Sequence, residues 1–371
     1  STNTVYPSET MLRVPLQAAR DRMSDTLHII GDTQGTRPVW FFDDTAKTSE
    51  VEPTKNELGG KGNGLREMTQ AGLPVPPGYT ITTEVCNTYL AGKLTDDGLE
   101  ALNKESIARL EAKTGKKFGD PRNPLIVSVR SGAKFSMPGM MDTVLNVGLN
   151  DEIVEEFAVI TSNPRLAYDS YRRLIQMFGK GVLGVDGKLF ENAISAKKKE
   201  RNVKNDIELT AGDWQALAEE FKEIIRKDGK EFPQGPYIQL HLATQAVFKS
   251  WFGDRAKEYR KIYDIPENLG TAVNVVKMVF GNMSDNSATG VAFTRDPSTG
   301  KKTFYGEFLI NAQGEDVVAG IRKASPIAEM EKALPEAYRK LLEVARQLEN
   351  AKRGIQDMEF TVQDGELWML Q

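Results

Sequence analysis

The chain has 371 residues, 40% hydrophobic and 27% charged, an ordinary globular composition with length for two or three domains. That composition excludes a disordered chain, and no apolar run approaches the roughly 18 residues of a membrane span. Lys and Arg number 48 against 52 acids, a formal charge of −4, which argues against a broad nucleic-acid footprint but leaves room for a local basic pocket.

Residues 1–37 show little strand patterning and mix Arg13, Arg20 and Arg22 with Glu9, Asp21, Asp25 and Asp32. A transit peptide would be poor in acids, so the stretch reads as a surface extension with no assigned role. Val39–Phe42 reads as a first strand. Lys61–Gln70 reads as a helix closed by Ala71-Gly72 and the prolines 74, 76 and 77. Tyr79–Ile81 is a short strand, 97–114 a helix ending at Gly115, and Leu125–Val129 an apolar strand entering a loop at Ser131–Asp142. From Glu152 to Trp251 the pattern is mostly helical, with apolar residues at helical spacing over Leu166–Phe178 and Trp214–Ile225. Strands follow at Ala272–Phe280, Gly290–Thr294 and Thr303–Ile310. Leu334–Leu348 is a helix with Pro335 suited to its first turn, and Met358–Val362 with Glu366–Leu370 forms a closing hairpin. This order predicts an α+β chain with a helical insert.

Cys86 is the single cysteine, so neither an intrachain disulfide nor a cysteine zinc cluster is available; it reads as a small buried hydrophobe. Two histidines, His28 and His241, leave little room for a multi-histidine metal site. Four stretches carry chemistry. Leu58-Gly59-Gly60-Lys61-Gly62-Asn63-Gly64 opens a helix; its glycines would let backbone N–H groups approach an anion and Lys61 would add a cation, although it lacks the Walker A spacing. A plain glycine-rich turn is the competing reading. Ser128-Val129-Arg130-Ser131-Gly132 delivers an arginine from a buried strand to a flexible loop, either as a phosphate fork or as a structural ion pair. Gly306-Glu307 and Asn311–Asp316 place acids beside glycines, suited to ribose hydroxyls or a cation, or to an ordinary solvated turn. In the closing hairpin, alternation puts Asp357, Glu359 and Thr361 on one face. A three-residue loop, Gln363–Gly365, would set Asp357 opposite Gln371 and make an oxygen-rich face suited to Mg²⁺ with a nucleotide phosphate. A two-residue Asp364-Gly365 turn would put Gln371 on the apolar face.

These residues carry a resemblance. The segments LGGKGNGLREMTQAGLPVPPGYTITTEVCNTYL, KKFGDPRNPLIVSVRSGAKFSMPGMMDTVLNVGLND, NPRLAYDSYRRLIQMFG, GTAVNVVKMVFGNM, GVAFTRDPSTG, GEFLINAQGEDVVAGIR and QDMEFTVQDGELWMLQ run in order from Val39 to Gln371. The chain resembles the N-terminal, nucleotide-binding part of the pyruvate, phosphate dikinases. SMPGMMDTVLN is the most specific of these segments; the related phosphoenolpyruvate synthases carry a different loop there.

The resemblance implies an ATP-grasp fold, with a first lobe at 38–150 and 236–277, a helical insert at 151–235 and a second lobe at 278–371. It implies that Lys61 and Arg130 hold ATP phosphates while the loop at Gly139–Thr143, with Met141, covers them. Arg173 would reach the nucleotide, Met278 in the 277–279 strand would meet adenine through its backbone, and Glu315 and Asp316 would face adenine or ribose. Asp357, Glu359 and Gln371 would position Mg²⁺ and the transferring phosphoryl group. The implied activity is that of a phosphotransferase with ATP, inorganic phosphate and pyruvate as substrates, cytoplasmic, without nucleic-acid or membrane partners, the parent enzyme a homodimer and this piece a monomer. The family pattern continues past the last Gln into Thr-Arg and a central phosphohistidine domain, so the nucleophile is expected outside these residues; neither His28 nor His241 sits in a carrier motif. A related dikinase with another acceptor, and a non-catalytic nucleotide-binding module, are the rival readings.

Overall fold

A computed structural model describes residues 37–371 apart from 136, 142, 319–321 and 353–355. The expectations placed on residues 1–36, His28 included, lie outside the described residues. The structure is mixed helix and sheet, as expected, and divides into two compact units. Among the described residues, the first takes 37–66, 77–197 and 211–278; the second takes 67–76, 198–210 and 279–371.

The first unit contains, in chain order, β1 (Val39–Phe41), α1 (Lys55–Gln70), β2 (Gly78–Ile81), α2 (Thr83–Leu90), α3 (Asp96–Thr114), β3 (Val127–Gly132) and β4 (Thr143–Val147). There follow α4 (Asp151–Ile160), α5 (Pro164–Gly181), α6 (Gly187–Arg201), α7 (Ala211–Lys227), α8 (Pro236–Ser250), α9 (Asp254–Ile262) and β5 (Ala272–Lys277). The last residues of α1 and α6 are counted with the second unit. The strands form one antiparallel sheet in the order β1-β2-β5-β3-β4. β5 lies at its centre with Ala272 to Val276 all buried, which accounts for the near-continuous apolar reading of that segment. Helix α8 packs on β3, β4 and β5, and α5 packs on β4 and α7.

Local chemistry sets the helix ends. The Thr95 hydroxyl accepts from the Gly98 N–H at 3.1 Å, and Gly115 closes α3 at φ 69°. Asn150 caps α4 through the Ile153 N–H at 2.7 Å, and Asn163 caps α5 through the Leu166 N–H at 3.0 Å, with Pro164 in its first turn. The apolar stripe of α5 buries Leu166, Leu174 and Phe178, and that of α7 buries Leu217, Phe221 and Ile225. The sequence pattern did not single out β4, which leaves the 133–142 loop and pairs with β3.

The second unit contains β6 (Ala288–Phe293), β7 (Tyr305–Ile310), α10 (Gly314–Val318), β8 (Ser325–Pro326), α11 (Met330–Ala333), α12 (Pro335–Lys352), β9 (Asp357–Gln363) and β10 (Glu366–Met369). Its sheet is also antiparallel, in the order β10-β9-β6-β7-β8. Met358, Phe360, Val362, Leu367 and Met369 are buried on one face. Ala337, Leu341, Val344 and Ala345 of α12 are buried at helical spacing, and α12 packs on β10.

The closing hairpin corrects the three-residue loop. Gln363 pairs with Glu366, so only Asp364 and Gly365 form the turn, at φ 48° and 87°. Asp-Gly supports positive φ at both positions, and that turn matches the twist of the strands. Past Met369 the pairing shifts: Leu370 N–H donates to Glu359 O at 2.9 Å, and Glu359 N–H donates to Gln371 O at 3.1 Å. Leu370 and Gln371 thus both oppose Glu359, as in a β-bulge, and Gln371 is exposed rather than buried on the apolar face.

Candidate functional site

The glycine turn at the start of α1 is fastened to the end of β3. Gly59 breaks the helix at φ 71°, ψ 174°, and a Cβ there would fall 1.7 Å from the Gly132 carbonyl oxygen. One residue on, the Gly60 N–H donates to Ala133 O at 3.1 Å. Gly62 then lies directly on the sheet, where a Cβ would stand 2.8 Å from both Asn274 Oδ1 and Thr80 Oγ1. Lys61 is held between these glycines, half-buried. Arg130 is half-buried on β3, with Asn274 as its Cα partner on β5 and Thr143 on β4. The lysine and arginine that stand apart in sequence therefore flank the same stretch of sheet, one beside Gly62 and the other beside Asn274. Among the described residues, the Arg130 guanidinium has no ion-pair or side-chain hydrogen-bond partner.

The loop after β3 is anchored at three points. Gly139, at φ +82°, lies so close to α9 that a Cβ would be 2.6 Å from Arg255 Cβ and 3.2 Å from the Ala256 backbone nitrogen. The sulfur of Met140 is 3.6 Å from the Ser250 hydroxyl, and Met141 packs against Gly181 at the end of α5. Ser136 and Asp142 lie outside the described residues.

Arg173 sits differently from Arg130. It is buried on α5, with its guanidinium on Asp169 one turn back at 3.2–3.3 Å, and Arg172 binds the same carboxylate at 2.8 Å while stacking on Trp214 at 4.0 Å. Burial pushes the Asp169 carboxyl up, but Arg173, Arg172 and Arg165 outweigh it and hold it down at about 2. The i, i+3 and i, i+4 spacing of Asp169 was legible in the sequence and names Arg173's partner. At the end of β5, the Lys277 N–H donates to Pro77 O at 2.9 Å and the Met278 N–H to Ile126 O at 2.9 Å. β5 ends at Lys277, so Met278 lies just past the strand expected at 277–279, with its backbone N–H engaged by Ile126.

In the second unit, Asp357 is exposed at the start of β9 and Glu359 is half-buried two residues on. Val291 of β6 stands opposite Glu359 and also opposite Glu307 of β7. Asp316 is turned back on its own segment, its carboxylate accepting from the Gln313 N–H at 3.0 Å. Gln313 is buried and accepts from the Gly281 N–H at 3.1 Å. The side chain of Glu315 lies outside the described part. Among the described residues no three His, Cys, Asp or Glu side chains gather as a metal-holding group. A pair of carboxylates is nevertheless what Mg²⁺ ordinarily takes from a protein when phosphates supply further oxygens, so Asp357 and Glu359 fit that donor chemistry.

His241 is buried on α8, and burial pushes its pKa below the usual value. Burial pushes the Cys86 thiol up to about 12, so it stays protonated. Among the described residues no helix is long and apolar enough to cross a membrane.

A family model for the pyruvate phosphate dikinase AMP/ATP-binding domain matches residues 55–105 and 94–335. The chain is 54% identical over 320 residues to pyruvate, phosphate dikinase of Clostridium symbiosum, covering 85% of this chain and 37% of that protein. It is 52% identical over 350 residues to pyruvate, phosphate dikinase 2 of Oryza sativa subsp. japonica, covering 94% and 39%. With pyruvate, phosphate dikinase of Entamoeba histolytica the identity is 50% over 339 residues, covering 90% and 38%. The chain thus spans less than two fifths of the length of these relatives. A match that takes in the glycine turn, Arg130, the loop and Arg173 makes the chain a member of the pyruvate phosphate dikinase AMP/ATP-binding domain family.

Proposed function

We propose that this chain binds Mg·ATP and presents its β-phosphorus to a histidine nucleophile supplied from outside these 371 residues. The observation that carries this reading is the fastening of the Gly59–Gly62 turn to the end of β3, which sets Lys61 beside a sheet position next to Arg130, whose guanidinium has no partner among the described residues. Two cations at glycine backbone suit the charge of a polyphosphate, and phosphoryl transfer depends mainly on positioning and charge neutralisation. Lys61 and Arg130 hold the phosphates in this reading. The Gly139–Met141 loop shields them from water, and its three anchors support that role. Arg173 reaches the nucleotide in this reading. Met278 offers its carbonyl to the adenine edge, and Glu315 and Asp316 face adenine or ribose. Asp357 and Glu359 would hold Mg²⁺, which lowers the negative charge that an incoming nucleophile meets; Gln371, brought to Glu359 by the bulge, orients the transferring group.

The proposed fold is ATP-grasp, supported by two antiparallel sheets each with its own helices. In the proposed reaction the histidine attacks the β-phosphorus, the bond to the α-phosphate oxygen breaks and AMP leaves. The γ-phosphoryl group then passes to inorganic phosphate to give pyrophosphate. The remaining phosphoryl group passes from the histidine to pyruvate to give phosphoenolpyruvate. Calorimetric titration of the chain with Mg·ATP tests the binding step. Saturable binding that Arg130→Ala weakens at unchanged melting temperature is the expected result; no binding, or equal loss of affinity and stability, overturns it.

A further inference from the structure

Asn274 occupies the centre of the first sheet. Its Cα partners are Thr80 on one side and Arg130 on the other. Its side chain is fully buried. The amide oxygen accepts from the Thr80 hydroxyl at 2.7 Å. The amide nitrogen has no partner among the described residues. Both ends of this amide press on glycine: a Cβ on Gly62 would stand 2.8 Å from Oδ1, and a Cβ on Gly132 would stand 2.8 Å from Nδ2. Gly62 follows Lys61 on α1, and Gly132 lies two residues beyond Arg130 on β3. The same amide therefore sets how closely the lysine-bearing helix and the arginine-bearing strand approach the sheet.

An apolar side chain of this size would fill the space without stranding a buried donor, and a stranded donor is costly. What the amide supplies instead is a flat, planar spacer, pinned by Thr80, that two glycine backbones can lie against. We propose that Asn274 is a positioning residue for the polyphosphate cradle: it fixes the spacing between Lys61 and Arg130 and acts on the nucleotide only through them. This inference rests on the ATP-binding reading above.

The test is calorimetry of the 371-residue chain with Mg·ATP and with AMP. The variants are Asn274→Ala, Asn274→Asp, Arg130→Ala and the Asn274→Ala/Arg130→Ala double. Asn274→Asp keeps the shape and the Thr80 bond but places a carboxylate beside Arg130. In Asn274→Ala, ATP affinity falls about tenfold, the scale of one charge-assisted hydrogen bond, while AMP affinity changes little. The ratio of ATP to AMP affinity thus collapses, which a merely structural role would not produce. Asn274→Asp lowers the same ratio although it is isosteric. In the double variant the losses fall short of additive, because both act on one cradle. An equal fall in ATP and AMP affinity, or full additivity with Arg130→Ala, overturns the inference. If Asn274→Ala does not fold, Asn274→Asp decides on the same ratio. A wild-type chain that binds ATP no more tightly than AMP overturns the phosphate-cradle reading itself, and is recognised before any variant is made.

Discussion

Arg130 and Arg173 carry the same group into opposite electrostatic settings. Arg130 is half-buried without a partner among the described residues, whereas Arg173 is buried on a carboxylate. Removing Arg130 therefore breaks no ion pair seen among the described residues, and a charge-assisted bond to phosphate contributes about 1.5–3 kcal/mol. Arg130→Ala is expected to lose at least about tenfold in ATP affinity by calorimetry, with the thermal midpoint unmoved. Asp169→Asn acts on stability instead. It removes the carboxylate that two buried guanidinium groups share, a change that costs about 3–5 kcal/mol and is read from urea unfolding. The pH dependence has a definite sign. Asp169 is held at about 2, below its ordinary value, so its contribution is complete above about pH 4 and is lost as pH falls through the folded value. The Asn variant lacks that acid limb.

Helix α1 contains glycines with opposite demands. Gly59 needs its positive φ and the contact with Gly132, Gly62 needs contact with Asn274 and Thr80, and Gly64 has nothing within 4 Å of an added Cβ. Gly64→Ala is expected to raise stability by about 0.5–1 kcal/mol, the usual gain of alanine in a helix interior. Gly59→Ala drives a methyl into backbone and detaches the turn, so both chemical stability and ATP affinity fall. Denaturant melts of the two variants side by side check this, and equal effects would mean the turn is not fastened as described. The turn of the closing hairpin was readable as Asp-Gly, yet its register was open between two loops. Turn residues state which φ values are tolerated, whereas the pairing of β9 with both β6 and β10 decides how many residues the loop holds.

At the scale of the molecule the nucleophile is the deciding question. His241 is buried and pushed below its usual pKa, so the folded state favours the neutral imidazole. Protonation then favours the unfolded chain, and this group's contribution to stability declines as pH falls below about 6.5. An NMR titration of its ring is expected to show a midpoint under that value. With His241 enclosed in α8, β-labelled ATP is expected to leave no acid-labile label on it; phosphorylation there, detected by mass spectrometry, would overturn the proposed route. Chelation of Mg²⁺ with EDTA is expected to lower ATP affinity in the wild type and to change it little in an Asp357→Asn/Glu359→Gln double variant, since that variant has already lost the metal-holding carboxylates.

By itself the sequence determined the family, through motifs whose glycines, arginines and acids have local chemical meaning, and most elements, through periodicity and through glycine and proline stops such as Gly115 and the prolines 74, 76 and 77. It also determined that Asp357 and Glu359 share a face, because strand alternation is a property of the backbone. Only the tertiary structure decided what stands opposite each of them. The pairing of Arg130 with Asn274, the seating of Gly59 on Gly132, the place of Asn274 between two glycines and the bulge at Gln371 all depend on strands and helices far apart in the chain. Periodicity records which face a residue occupies, but register and close approach arise from packing between segments, and no local pattern encodes them.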